Sequence, residues 1–156
     1  MDEYMPIINE QQLINIADDF IKTSSSRMSA LDGVVGLLAA NFRHFTWTGI
    51  YLYDSGALKL GPYRGDPSPH TTIPLDKGIC GAAFRERKTI IIADVSADPR
   101  FLACSLSTKS EIVVPIFDSK GNPVGEIDID SDLPNAFGET DKAMLEKIAG
   151  CLSQLF

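Results

Sequence analysis

Apolar and polar positions alternate along this chain with two clear periods. Asn9 is followed by Leu13, Ile16, Ala17, Phe20 and Ile21, a stripe at helical spacing behind a good N-cap. After Ser24-Ser25-Ser26, the steps Leu31, Val35, Leu38, Phe42 and Phe45 predict a second amphipathic helix. The period then changes: residues 47–54 and 57–61 read as strands joined through Asp54-Ser55-Gly56. A proline-rich loop from Pro62 to Pro69 precedes a short strand at 70–74, a helix at 78–88 and a strand at 89–93. Residues 94–108, with the Asp98-Pro99 turn signal, read as a loop. Ile112–Phe117 is a continuous apolar run, Ser119-Lys120-Gly121-Asn122 is a turn, and Val124–Asp130 alternates strictly. A closing helix from about Thr140 carries Leu145, Ile148, Leu152 and Leu155 on one stripe. The order α-α-β-β-β-α-β-β-β-α predicts an α/β protein of the α+β kind. Its central sheet is mostly antiparallel, of about six strands, with the N- and C-terminal helices packed on one face.

Length adds a bound: 156 residues suit a single domain, with a helical segment at 9–45, sheet and pocket at 46–131 and the last helix at 138–156. No apolar run approaches the ~20 residues of a membrane span, and no signal peptide is visible, so a cytoplasmic protein is expected. A net charge of −7 argues against nucleic acid and anionic membranes as partners. The cysteines Cys80, Cys104 and Cys151 have neither CxxC nor zinc-type spacing. Singly, such thiols are mostly buried apolar groups, and Cys151 between Ile148 and Leu152 fits that reading. His44 and His70 have no partner at ligand spacing, so no metal site is expected.

The informative segment is Gly125-Glu126-Ile127-Asp128-Ile129-Asp130. A strand sends alternate side chains to opposite faces, so the three carboxylates share one face. The plain interpretation is a solvated outer face. Against it stands the repulsion of carboxylates about 6–7 Å apart, which a cation would relieve: a ligand ammonium or, second, a hard metal ion. Gly78 and Gly81 bracket a helix start, whose free N–H groups would favour a thiolate at Cys80. Trp47 and Tyr51 share a strand face around Gly49 and could wall a pocket for a thioether, or simply fill the core.

Trp47-Thr-Gly-Ile-Tyr51, Leu60-Gly-Pro-Tyr-Arg-Gly65, Lys77-Gly-Ile-Cys-Gly81, Ala93-Asp-Val95, Ala103-Cys104, Ser110-Glu-Ile-Val-Val-Pro115 and Gly125-Glu-Ile-Asp-Ile-Asp-Ser131 occur in this order. Together they resemble the free methionine-(R)-sulfoxide reductases, which are single GAF domains. The resemblance implies that Cys104 attacks the sulfoxide and that Glu111, Asp128 and Asp130 hold the substrate. It also places Trp47 and Tyr51 around the methyl end. It implies a thioredoxin-like reductant, free methionine sulfoxide as substrate, and dimers as a common state. Two departures stand out: the loop Asp66–Thr72 lacks the further cysteine usual there, and Ser105 replaces a usual aspartate. Glu126 also stands where an apolar residue is usual.

The chemistry implied needs no metal or organic cofactor. Glu111 is a candidate proton donor as well as a substrate ligand if its neighbours raise its pKa. The sulfenic acid formed on Cys104 would then condense with a second thiol, and Cys80 is the candidate resolving residue. The alternative is a GAF module that binds a small molecule without catalysis.

Overall fold

The computed structural model describes residues 8–102 and 106–156. The sheet has six strands: β1 Trp47–Asp54, β2 Ala57–Arg64, β3 Thr72–Pro74, β4 Ile90–Ile92, β5 Ser110–Phe117 and β6 Pro123–Ser131. Their spatial order is β3-β2-β1-β6-β5-β4, and every neighbouring pair is antiparallel. The helices are α1 Glu10–Thr23, α2 Arg27–Asn41, α3 Gly78–Glu86 and α4 Glu139–Leu152. No helix among the described residues is long and apolar enough to cross a membrane.

The helix starts are chemically specified. Asn9 and Gln12 exchange side-chain-to-backbone bonds in a capping box for α1, and the Ser26 hydroxyl accepts from the Ser29 N–H at the start of α2. The apolar stripes of α1, α2 and α4 meet on one side of the sheet, against Ile50, Ile112, Val114, Ile116, Ile127 and Ile129. Phe20, in the predicted stripe of α1, is instead exposed, because the buried stripe of the helix runs through Leu13, Ala17 and Ile21, with Ile14 packed beside it. α3 covers the opposite face, with Ile79, Cys80, Ala83 and Phe84 buried against Val113 and the β1–β2 aromatics.

Two element ends differ from the pattern. α2 stops at Asn41 although its stripe continues to Phe45. The chain turns there, with the Phe45 N–H donating to the Phe42 carbonyl and the two rings stacked 4.4 Å apart, so both aromatics still reach the core. β2 runs on to Arg64 through Pro62, where a loop is expected from the proline. Tyr51 pairs with Leu60 but Gly49 with Tyr63, so Gly61 and Pro62 together oppose Ile50 in a bulge. A bulge leaves an N–H unpaired, which is where a proline is tolerated in a sheet.

Candidate active site

The register of the three central strands composes the site. β6 lies between β1 and β5, so Asp130 is flanked by Trp47 and Glu111, Asp128 by Gly49 and Val113, and Glu126 by Tyr51 and Pro115. The alternation places all three acids on the face away from α1, α2 and α4, while Ile127 and Ile129 enter the helix-side core. That face is not solvated. Glu111, Glu126, Asp128 and Asp130 are each no more than 5% exposed, which overturns the plain expectation of an outer surface. α3 and the Asp66–Thr72 loop supply the cover that a strand pattern cannot display.

The aromatics are held by that loop. The Trp47 indole N–H donates to the Asp66 carbonyl at 2.9 Å, and the Tyr51 hydroxyl donates to the His70 carbonyl at 2.8 Å. Their rings are 6.4 Å apart, and Tyr63 stacks on Trp47 at 5.7 Å. Gly49 is required here, because a Cβ would lie 2.4 Å from the Trp47 ring. The indole therefore lies back along its own strand, above the residue beside Asp128.

Two cavities adjoin the acid row. One of ≈ 160 Å³ is lined by Trp47, Asp66, Asp130 and Asp132 among others. The second, of ≈ 10 Å³, is bordered by Tyr51, His70, Cys80, Leu102, Glu111 and Asp128. It has room for about one water-sized particle. His70 and Leu102 on its border are half-buried.

Burial, and then the charges of Asp128 and Asp130, push the Glu111 carboxyl well above the usual carboxylate range. Burial and Asp128 do the same to Glu126. Asp130 is raised by burial and by Asp128, with Glu111 opposing, and Asp128 is raised by burial against Glu111 and Cys80. Both oxygens of Glu126 and of Asp130, and Oδ1 of Asp128, are buried without a hydrogen-bond partner. A proton on Glu111 would make it the donor that Asp128 and Asp130 lack, since it lies within reach of both. Four acids share a dry face, and among the described residues no lysine or arginine lines the small cavity.

Cys80 corrects one expectation. The start of α3 was expected to favour its thiolate, but burial, followed by Asp128, Glu126 and Glu111, pushes the thiol well up. A helix of nine residues contributes partial charges at its end, whereas the strand acids lie against the buried sulfur. Cys80 is nonetheless at the site, with its Sγ and a carboxylate oxygen from each of Glu111 and Asp128 all within 4.8 Å of one another. Cys104 lies outside the described residues. Cys151 sits half-buried at the edge of the helix-side core on α4, remote in the fold from the acid row.

Trp47, Tyr51, Cys80, Glu111, Asp128 and Asp130 are thus brought to one face of the sheet. Sequence reasoning missed Tyr63 and His70. Tyr63 lies diagonally across the bulge from Trp47, and its only signal was membership of the Leu60–Gly65 segment. His70 reaches the cavity through a loop whose path no spacing encodes. His44 stays away from the site, edge-on to Phe45 at 4.7 Å.

The GAF domain family matches residues 26–154. The free methionine-R-sulfoxide reductase of Saccharomyces cerevisiae is 39% identical over 69% of this chain and 61% of its own length. That of Escherichia coli is 30% identical over 84% of this chain and 78% of its own. The X-ray structure of free methionine-R-sulfoxide reductase from Neisseria meningitidis, in complex with its substrate, superposes with a TM-score of 0.88 at 33% identity, covering 94% of this chain and 87% of that one. With the acid row, the aromatic wall and the GAF sheet all in place, the chain belongs to the GAF-domain family and, within it, to the free methionine-R-sulfoxide reductases.

Proposed function

We propose that this protein reduces free methionine-(R)-sulfoxide to methionine, using Cys104 as nucleophile and a thioredoxin-like dithiol as reductant. The observation that carries this is the row Trp47–Asp130–Glu111, which sets an aromatic surface, an unpartnered carboxyl and a second buried carboxyl side by side. A free amino acid matches that row. Its ammonium pairs with Asp128 and Asp130, offsetting their repulsion, and its methyl end rests on Trp47 and Tyr51. A residue within a peptide has no ammonium to offer.

The Cys104 thiolate attacks the sulfoxide sulfur. The oxygen passes to Cys104 as a sulfenic acid, its proton coming from Glu111, and methionine leaves. The Cys80 thiol then attacks the sulfenic sulfur, releasing water and forming a disulfide that the external dithiol reduces. The raised pKa of Glu111 supports its role as donor, because a buried neutral carboxyl holds its proton until needed. No metal or organic cofactor takes part. A reducing cytoplasm suits this chemistry, and a homodimer is expected from the resemblance.

The test is a thioredoxin-coupled assay with separated R and S epimers of free methionine sulfoxide. Turnover of the free R epimer alone is expected. Equal rates with the S epimer or with a peptide-bound sulfoxide would overturn the proposal. Binding of the sulfoxide without any thiol oxidation would favour a sensing module instead.

A further inference from the structure

We propose that Cys80, Glu111 and Asp128 form a binding site for a thiophilic divalent cation of the zinc class, and that this cation competes with the substrate's ammonium. The competition rests on the proposed function; the cation site itself does not. One thiol and two carboxylates, from α3, β5 and β6, converge with their ligand atoms within 4.8 Å of one another. Tetrahedral zinc, with Zn–S of about 2.3 Å and Zn–O of about 2.0–2.2 Å, places such atoms about 3.5 Å apart. Side-chain adjustments on the order of an ångström close that gap.

Three further features point to a cation. The cavity bordered by all three residues is ≈ 10 Å³, the size of a water or an ion and far too small for an amino acid. Oδ1 of Asp128, which borders it, is buried with no partner, and so are both oxygens of Glu126 further along the same strand face. Glu126 follows the same strand face two residues before Asp128 and supplies an outer carboxylate to a bound ion. The sulfur decides the class: a set of oxygens alone suits calcium or magnesium, whereas a thiolate with carboxylates selects zinc or cadmium. As the metal–sulfur bond forms, the thiol proton leaves to solvent, and the cation's charge then neutralises the acids that otherwise repel one another.

The experiment titrates Zn²⁺ into the reduced, substrate-free protein by competition with a chelator, with Cd²⁺ as the spectroscopic probe. One ion per chain is expected, with a cadmium–thiolate absorption that survives Cys151→Ala and is lost in Cys80→Ala. Asp128→Asn, which keeps the side-chain shape should Cys80→Ala fold poorly, is expected to weaken Zn²⁺ by at least ~100-fold, and Glu126→Gln by about 10-fold. Failure to bind at one ion per chain, or a cadmium band retained in Cys80→Ala, would overturn the site. In single-turnover methionine release, which precedes the use of Cys80, Zn²⁺ should raise the sulfoxide concentration giving half the limiting rate without changing that limiting rate. Stoichiometric Cys80-dependent binding that the sulfoxide cannot displace supports the cation site and counts instead against the substrate placement.

Discussion

Glu111 on β5 stands directly opposite Asp130 on β6, and both carboxyls are buried where neither Asp130 oxygen has a donor. Two acids held this close in a dry setting cannot both ionise at low cost, so a proton or a cation must be shared between them. The pair is therefore poised for an ammonium on one side and for proton donation on the other. That division of labour underlies the expectations that follow.

Asp130→Ala removes the partner of the substrate's ammonium. Deleting one member of a buried ion pair costs about 2–5 kcal/mol, so kcat/KM with the free sulfoxide is expected to fall at least ~30-fold. N-acetylated methionine sulfoxide should be a poor substrate even for the unaltered protein. Comparable kcat/KM values for the acetylated and free compounds would remove the role given to Asp130.

Glu126 is a buried acid with no partner at either oxygen, at a position where the family usually carries an apolar residue. Glu126→Leu is expected to stabilise the fold by about 1–3 kcal/mol in urea unfolding, because it removes an unsatisfied group. A loss of stability of similar size would show that Glu126 has a partner in solution.

The same acids set the pH dependence of stability. Glu111, Glu126, Asp128 and Asp130 all have folded-state pKa values raised above their unfolded values of about 4. The folded protein then binds more protons than the unfolded chain, and stability falls as pH rises. Their contribution is complete below pH ~4 and is lost as pH climbs through the raised values. The exposed pairs Asp18–Lys22 and Asp98–Arg100 act with the opposite sign, since their acids are lowered, and only below the ordinary carboxylate range. Unfolding free energy is expected to decline from mildly acidic to neutral pH, more shallowly in Glu126→Leu. A profile rising over that interval would contradict the buried acid row.

Gly49→Ala tests the aromatic wall. Its Cβ would meet the Trp47 ring at 2.4 Å, so the indole must swing away from Asp128. We expect destabilisation of about 1–3 kcal/mol and a higher KM, both read against Trp47 fluorescence. Unchanged fluorescence and KM would mean that the indole does not form the substrate's wall.

Cys104→Ser is expected to abolish the first methionine released, because a hydroxyl without a dedicated base is a far weaker nucleophile, while Cys151→Ser leaves it nearly intact. Resolution by Cys80 should be slow at neutral pH and quicken as pH rises, since its thiol is pushed well above its ordinary value. Single-turnover release and rapid-quench disulfide mapping read the two steps separately. Methionine release surviving in Cys104→Ser would reassign the nucleophile.

Local pattern was enough for much of this protein. The caps Asn9 and Ser26, the helical stripes of α1 and α4 and the strict alternation of β6 are properties of short stretches, so the elements and the shared face of Glu126, Asp128 and Asp130 could be read directly. The family motifs likewise pointed to Trp47, Tyr51 and Glu111. Tertiary structure decided what those stretches could not express. A strand's period of two says which residues share a face but not which face is covered, and α3 with the Asp66–Thr72 loop buried the acidic one. It also reversed the expectation for Cys80. The helix start seen in sequence favours a thiolate, but ionisation follows from every charge near the sulfur in space, and β5 and β6 bring three carboxyls to this buried site.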